Sequence, residues 1–142
     1  MASSVPTMRR RFSPGQLALH AEALFWIVLA SLAIRLLPFP RVVALGARPS
    51  RRRDEECIAA VRGPVRGWAR RVPWRALCFE SALALRLMLA RRGVGSTLHY
   101  GIDQTEGLKA HVWLSVGGNV VIGGAEAEGF TEVGTFPPEP PR

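Results

Sequence analysis

The sequence predicts an α+β fold, with N-terminal helices followed by a short antiparallel sheet. Three observations predict it. Apolar residues recur at helical spacing as far as Arg92. Beyond Val94 the texture changes to short strand-like runs. Gly117-Gly118 then separates two of those runs, as a hairpin turn does. Helices first and strands after them read as α+β. The chain has 142 residues, 48% of them hydrophobic, which is enough for one domain with a real core and no staples.

The elements follow in order. Residues 1–12 read as a disordered basic arm. Ser13-Pro14-Gly15-Gln16 starts a helix: Ser13 caps, Pro14 suits the first helical position, and Gln16 completes a capping box. Leu17, Ala21, Leu24, Phe25, Val28 and Leu32 carry the helical repeat, and Pro38 and Pro40 end it. A second helix starts after Ser50, with Asp54, Glu55 and Glu56 at its positive end. Gly63-Pro64 is expected to interrupt it, with Val65, Trp68 and Val72 continuing as a second segment. A third helix spans about residues 77–92, apolar nearly all round, with Gly93 as its C′ residue. Strands are predicted at 96–102, 110–116 and 119–122, with a polar loop over 103–109. One domain over 13–136 and a Pro-rich tail over 137–142 complete the chain.

Charge is unevenly placed. Residues 1–75 hold 14 Arg and 4 acids; residues 76–142 hold 4 Arg, 1 Lys and 7 acids. A basic half attracts polyanions or an acidic partner. Zinc-finger spacing, an RNA-binding aromatic signature and a P-loop are all missing, so nucleic acid is not the expected partner. Cys57 and Cys78 are too few for a disulfide framework and are not spaced for zinc. They point to a reducing compartment and a cytoplasmic location. Arg9-Arg10-Arg11-Phe12 and the apolar run after it have some features of an export signal, but His20 and Glu22 interrupt that pattern. The uninterrupted apolar stretch is short of the ~20 residues of a membrane span. A buried or partner-facing helix is the expectation, without membrane contact.

Two residues carry chemistry. Cys78 falls in the first turn of the most apolar helix, where free backbone N–H groups are expected to depress a thiol pKa and to receive an oxyanion. His111 opens an apolar strand after a polar loop, about 30 residues later, as in Cys–His hydrolases. Cys57, among Ile58, Ala59 and Ala60, reads as a buried small residue. His20 and His99 read as structural or surface residues.

Four blocks then stand in order: 73–85 (PWRALCFESALAL), Arg91-Arg92-Gly93-Val94, Tyr100-Gly101-Ile102 and Ala110-His111-Val112-Trp113-Leu114. Together they resemble the lasso-peptide maturation B proteins, in their leader-peptidase part, often called B2. The N-terminal helices and Phe130 to Pro137 fit the same layout. The resemblance implies a diverged transglutaminase-like, papain-like cysteine protease core, with Cys78 as nucleophile and His111 as base. It implies removal of the leader from a ribosomally made precursor peptide. A separate ATP-dependent cyclase then closes the macrolactam. It also implies a split arrangement, in which a separate leader-recognition (B1-type) protein presents the leader. The basic segment 51–71 is the expected docking face.

One departure stands out. The family usually has an Asp on the strand after the His. Here the hairpin register pairs Val116 with Asn119 and so His111 with Gly124, which offers no carboxylate. Glu126 is the nearest acid expected on that face, so either Glu126, a backbone carbonyl or water orients the imidazole. The expected chemistry is acyl transfer to water, with the Cys78 N–H as one oxyanion donor and no metal or organic cofactor. Two alternatives share the sequence: an inactive transglutaminase-like docking module, and an acyl transferase that accepts an amine.

Overall fold

Ser13 and Gln16 begin the first helix in the predicted way. The Ser13 hydroxyl accepts from the Gln16 N–H at 3.3 Å, and the Gln16 side-chain Oε1 accepts from the Ser13 N–H at 2.9 Å. The computed structural model describes residues 13–48, 54–72, 78–105 and 107–137. The predicted basic arm and residues 138–142 of the tail lie outside the described residues. The elements are α1 (Pro14–Leu36), α2 (Phe39–Ala44), α3 (Glu55–Arg71), α4 (Cys78–Arg91), β1 (Thr97–Asp103), β2 (Lys109–Val116), β3 (Asn119–Ile122), α5 (Gly124–Ala127) and β4 (Thr131–Phe136). The antiparallel sheet has the order β3-β2-β1-β4. Helices followed by a small antiparallel sheet make the fold α+β.

α4 is the centre of the core. Ala82, Leu83, Ala84, Leu85, Met88 and Leu89 are wholly buried, and the helix packs against α1, α3 and β2. Gly93 ends it at φ +79°, with the Val94 N–H returning to the Leu89 carbonyl and the Gly93 N–H to that of Ala90. This is the Schellman stop predicted for Gly93.

Three expectations change. Pro40 does not simply end α1; Pro38, Phe39 and Pro40 open the short helix α2, because Pro is preorganised for a first turn. Gly63-Pro64 does not divide α3, which runs through with Pro64 inside it. Ile58, Val61, Pro64 and Val65 form its buried face. Burying such side chains, at about 1.5–3 kcal/mol for each large aliphatic, offsets the roughly 3 kcal/mol penalty of an interior Pro. β4 had no place among the predicted strands, yet it pairs along β1 from Leu98↔Phe136 to Ile102↔Thr131.

α1 is long and apolar enough to cross a membrane by length and composition, which is weak evidence because a core helix passes the same test. Its Ala23, Ile27 and Ala30 are wholly buried, while Phe25, Leu29, Leu32 and Leu36 are exposed. Glu22, the charge that interrupts the apolar pattern, ties α1 to the end of α4. Its carboxylate accepts from Arg92 at 2.5 and 2.9 Å, from Arg91 at 3.3 Å and from the Trp26 indole at 3.3 Å. The Arg92 bond holds the Glu22 carboxyl below the ordinary carboxylate range.

A second charge is harder to accommodate. Arg86, on the buried α4, is wholly buried and donates from Nη1 to the Val43 carbonyl at 3.0 Å. Among the described residues its Nε and Nη2 have no partner, and burial pushes its pKa down to about 10.

The Glu22 clasp sets a pH dependence. A carboxyl with a depressed folded pKa contributes stability above its unfolded pKa and loses it as pH falls through the folded value. Glu22→Gln should therefore lower unfolding free energy by about 1–2 kcal/mol at pH 7. The difference from wild type should shrink towards about pH 3. Thermal unfolding of both proteins across that range measures it, and a pH-independent difference would contradict the clasp.

Candidate active site

Cys78 is the first residue of α4, and the approach to it, residues 73–77, lies outside the described residues. Because α4 packs on β2, the thiol meets the strand backbone: Sγ accepts from the Val112 N–H at 3.4 Å. The N–H groups of Phe79 and of Cys78 itself also favour the thiolate. The expected depression of the thiol pKa is nevertheless overturned. Burial pushes the Cys78 thiol up by more than these N–H groups pull it down, and the nearby Glu80 carboxylate adds to the rise. Glu80 is itself buried, with Oε2 unpartnered. Sequence position reveals a helix terminus; it does not reveal how much water the terminus loses.

His111 is almost fully buried at the start of β2. Its Nε2 lies 2.8 Å from the Gly123 carbonyl oxygen. A carbonyl only accepts, so Nε2 carries a proton, and in a neutral ring the lone pair then lies on Nδ1. The ring is stacked on Trp113 at 5.8 Å and lies 5.2 Å from the Phe130 ring. Gly101, opposite His111 on β1, leaves the room for this packing: a Cβ there would stand 2.8 Å from the Trp113 ring and 3.1 Å from Phe130.

The predicted hairpin register holds only at its start. Val116 pairs with Asn119 and Ser115 with Val120, but Leu114 pairs with Ile122. The bulge takes up Val121, which is buried in the core. β3 then ends, and Gly123 at φ +80° turns the chain into α5. His111 therefore has no strand partner at Gly124. Glu126 lies in α5 rather than on a strand face, and its side chain is outside the described residues. The reading by sheet alternation does not apply to it. The group on the imidazole is the Gly123 carbonyl, one of the alternatives the sequence left open. A register count has no means of naming it, because a bulge is a tertiary event.

Cys78 and His111 line one open cavity of about 330 Å³, together with Ser81, Gly123 and, from α3, Arg66 and Arg70. Cys57 is only partly buried rather than buried, packing against the edge of the core, with its N–H held by the N-cap Asp54. His99 is structural: Nε2 meets the Ser115 hydroxyl at 2.6 Å, Nδ1 meets Glu132, and the ring stacks on Trp113 at 5.5 Å. Ser115 is buried near the end of β2, so this network ties β4, β1 and β2 together beside Trp113.

Residues 23–135 match the Transglutaminase-like superfamily, a span that takes in α4, β2 and the cavity between them. The chain belongs to the transglutaminase-like superfamily. No curated protein and no solved structure matched it. Members of the transglutaminase-like superfamily are generally Cys–His–Asp proteases or transferases. Among the described residues of this transglutaminase-like chain, the group on the imidazole Nε2 is the Gly123 carbonyl.

Alkylation of Cys78 reads the buried thiol directly. Because the folded pKa is raised, the thiol stays protonated to higher pH than an ordinary one. The iodoacetamide rate at Cys78, followed by peptide mass mapping, should therefore rise with a midpoint above that of a free thiol measured alongside. A midpoint below the free thiol would contradict the dominance of burial.

Proposed function

We propose that this chain is a cysteine peptidase that removes the leader from a ribosomally made lasso-peptide precursor. The observation that carries the reading is the shared cavity of Cys78 and His111, with the Gly123 carbonyl on Nε2 and Nδ1 left to accept a proton. Since the resting thiol is protonated, reaction starts from a neutral pair. His111 Nδ1 takes the Cys78 proton as Sγ attacks the scissile carbonyl carbon. The oxyanion is received at the first turn of α4, with the Cys78 N–H as one donor. The C–N bond breaks as the imidazolium returns its proton to the departing amine. Water then attacks the thioester, His111 takes its proton, and the acid and thiol are released.

A separate leader-recognition protein is the expected partner, since holding the leader raises its effective concentration at Cys78. The freed core peptide then passes to a separate ATP-dependent cyclase. The free state of both thiols supports a reducing, cytoplasmic setting. One observation favours a second reading, an inactive docking module: the raised pKa of Cys78, which a non-catalytic cysteine tolerates without loss. The amine-accepting transferase shares every step up to the thioester.

Mass spectrometry of the precursor, incubated with each variant and the leader-recognition protein, separates these readings. Cys78→Ala should abolish leader removal, while Cys57→Ala should leave it largely intact. Full cleavage by the Cys78→Ala variant would remove the peptidase mechanism.

Glu126 remains the candidate carboxylate for the imidazolium, close in sequence to the Gly123 turn. Glu126→Gln should slow cleavage at least tenfold, about 1.4 kcal/mol of barrier, with Glu128→Gln nearly silent. An unchanged rate for Glu126→Gln would leave the Gly123 carbonyl as the sole orienting group.

A further inference from the structure

The cavity beside Cys78 carries two positive charges that catalysis does not use. Arg66 and Arg70 stand one helical turn apart on α3, and both line it. α3 packs against α4 and β3, so a folded core holds their backbone in place. Both side chains are exposed, and neither makes an ion pair or a side-chain hydrogen bond among the described residues. Other guanidinium groups of this chain are occupied: Arg91 and Arg92 on Glu22, Arg86 on Val43. The rest of the described lining is Ala69, Cys78, Ser81, His111, Ile122 and Gly123, which includes no acid. The protonation of Cys78 is governed first by burial, with backbone N–H groups and Glu80 as smaller influences. Two guanidinium groups on a cavity whose other described lining residues carry no acid suit a planar, bidentate anion, and on a peptide that anion is a carboxylate.

We infer that Arg66 and Arg70 form a carboxylate-binding subsite, so that the cavity selects acyl donors bearing an acidic group close to the bond that is broken. The inference rests on the acyl-transfer reading of Cys78 and names the substrate class for it. It also narrows the basic segment 51–71: the part on the cavity meets substrate rather than a docked protein.

Two matched alkylating agents test the subsite. Iodoacetate carries a carboxylate and iodoacetamide does not, and both consume the same thiolate, so their rate ratio cancels any change in the Cys78 pKa. The ratio at Cys78, mapped by peptide mass and divided by that of 2-mercaptoethanol, should be about threefold or more at low ionic strength and fall towards one in high salt. Arg66→Gln with Arg70→Gln should remove the preference, whatever it does to the iodoacetamide rate itself, and Arg66→Lys with Arg70→Lys should keep only part of it. The phenyl thioesters of succinate and acetate extend the test to acyl donors, with the succinyl ester preferred in wild type alone. A normalised ratio near one in wild type, a ratio unmoved by the double Gln substitution, or equal rates for the two thioesters would overturn the subsite. Failure of both thioesters to acylate Cys78, with the alkylation preference intact, would instead count against the acyl-transfer reading.

Discussion

Helix α4 is enclosed by α1 and α3 on one side and by β2 on the other, with six of its apolar residues wholly buried. Everything at the site depends on that enclosure. It presses the N-terminal turn of the helix against β2, the strand that carries His111, so the Cys78 thiol comes to accept a β2 backbone N–H. It fixes α1 and α3 relative to the sheet. The arginine face of α3 thereby lies along the same cavity as the thiol and the imidazole. The hydrophobic effect supplies the force, at roughly 25 cal/mol per Å² of apolar surface removed from water.

The same burial works against charge. It raises the thiol pKa of Cys78 despite three helpful backbone N–H groups, and among the described residues it leaves the Arg86 guanidinium with one partner and two unpaired nitrogens. In the peptidase reading, a site with a protonated thiol forms its nucleophile when substrate arrives, because proton transfer and carbon–sulfur bond formation then occur together. The imidazole is held by packing. Trp113 and Phe130 confine the ring, His99 backs Trp113 from the far side, and the Gly123 carbonyl holds Nε2.

Much of the helical half was legible in order. The capping box at Ser13, the acids at the start of α3, and Gly93 after α4 are local signals, and each acts through neighbours a few residues away. The Gly117-Gly118 turn was legible for the same reason, both residues having positive φ. Pro64 was misleading, since its local penalty is outweighed by an apolar face that only packing completes. β4 was overlooked because Thr131 to Phe136 is largely exposed and lacks a clean alternation; its pairing with β1 makes it a strand. The bulge at Leu114 and Ser115 was invisible, and with it the identity of the group on the imidazole.

The sequence by itself determined the α+β order, the identities of Cys78 and His111 as the pair to examine, and the surplus of arginine in the first half. These are matters of residue type, spacing and short-range backbone preference, which a linear string records. The tertiary structure alone decided the protonation of Cys78, the tautomer of His111 and the place of Arg66 and Arg70 on the cavity wall. Each of these depends on how much water is excluded and which distant backbone atom comes within hydrogen-bonding reach. Neither quantity exists until α3, α4 and the sheet have packed together.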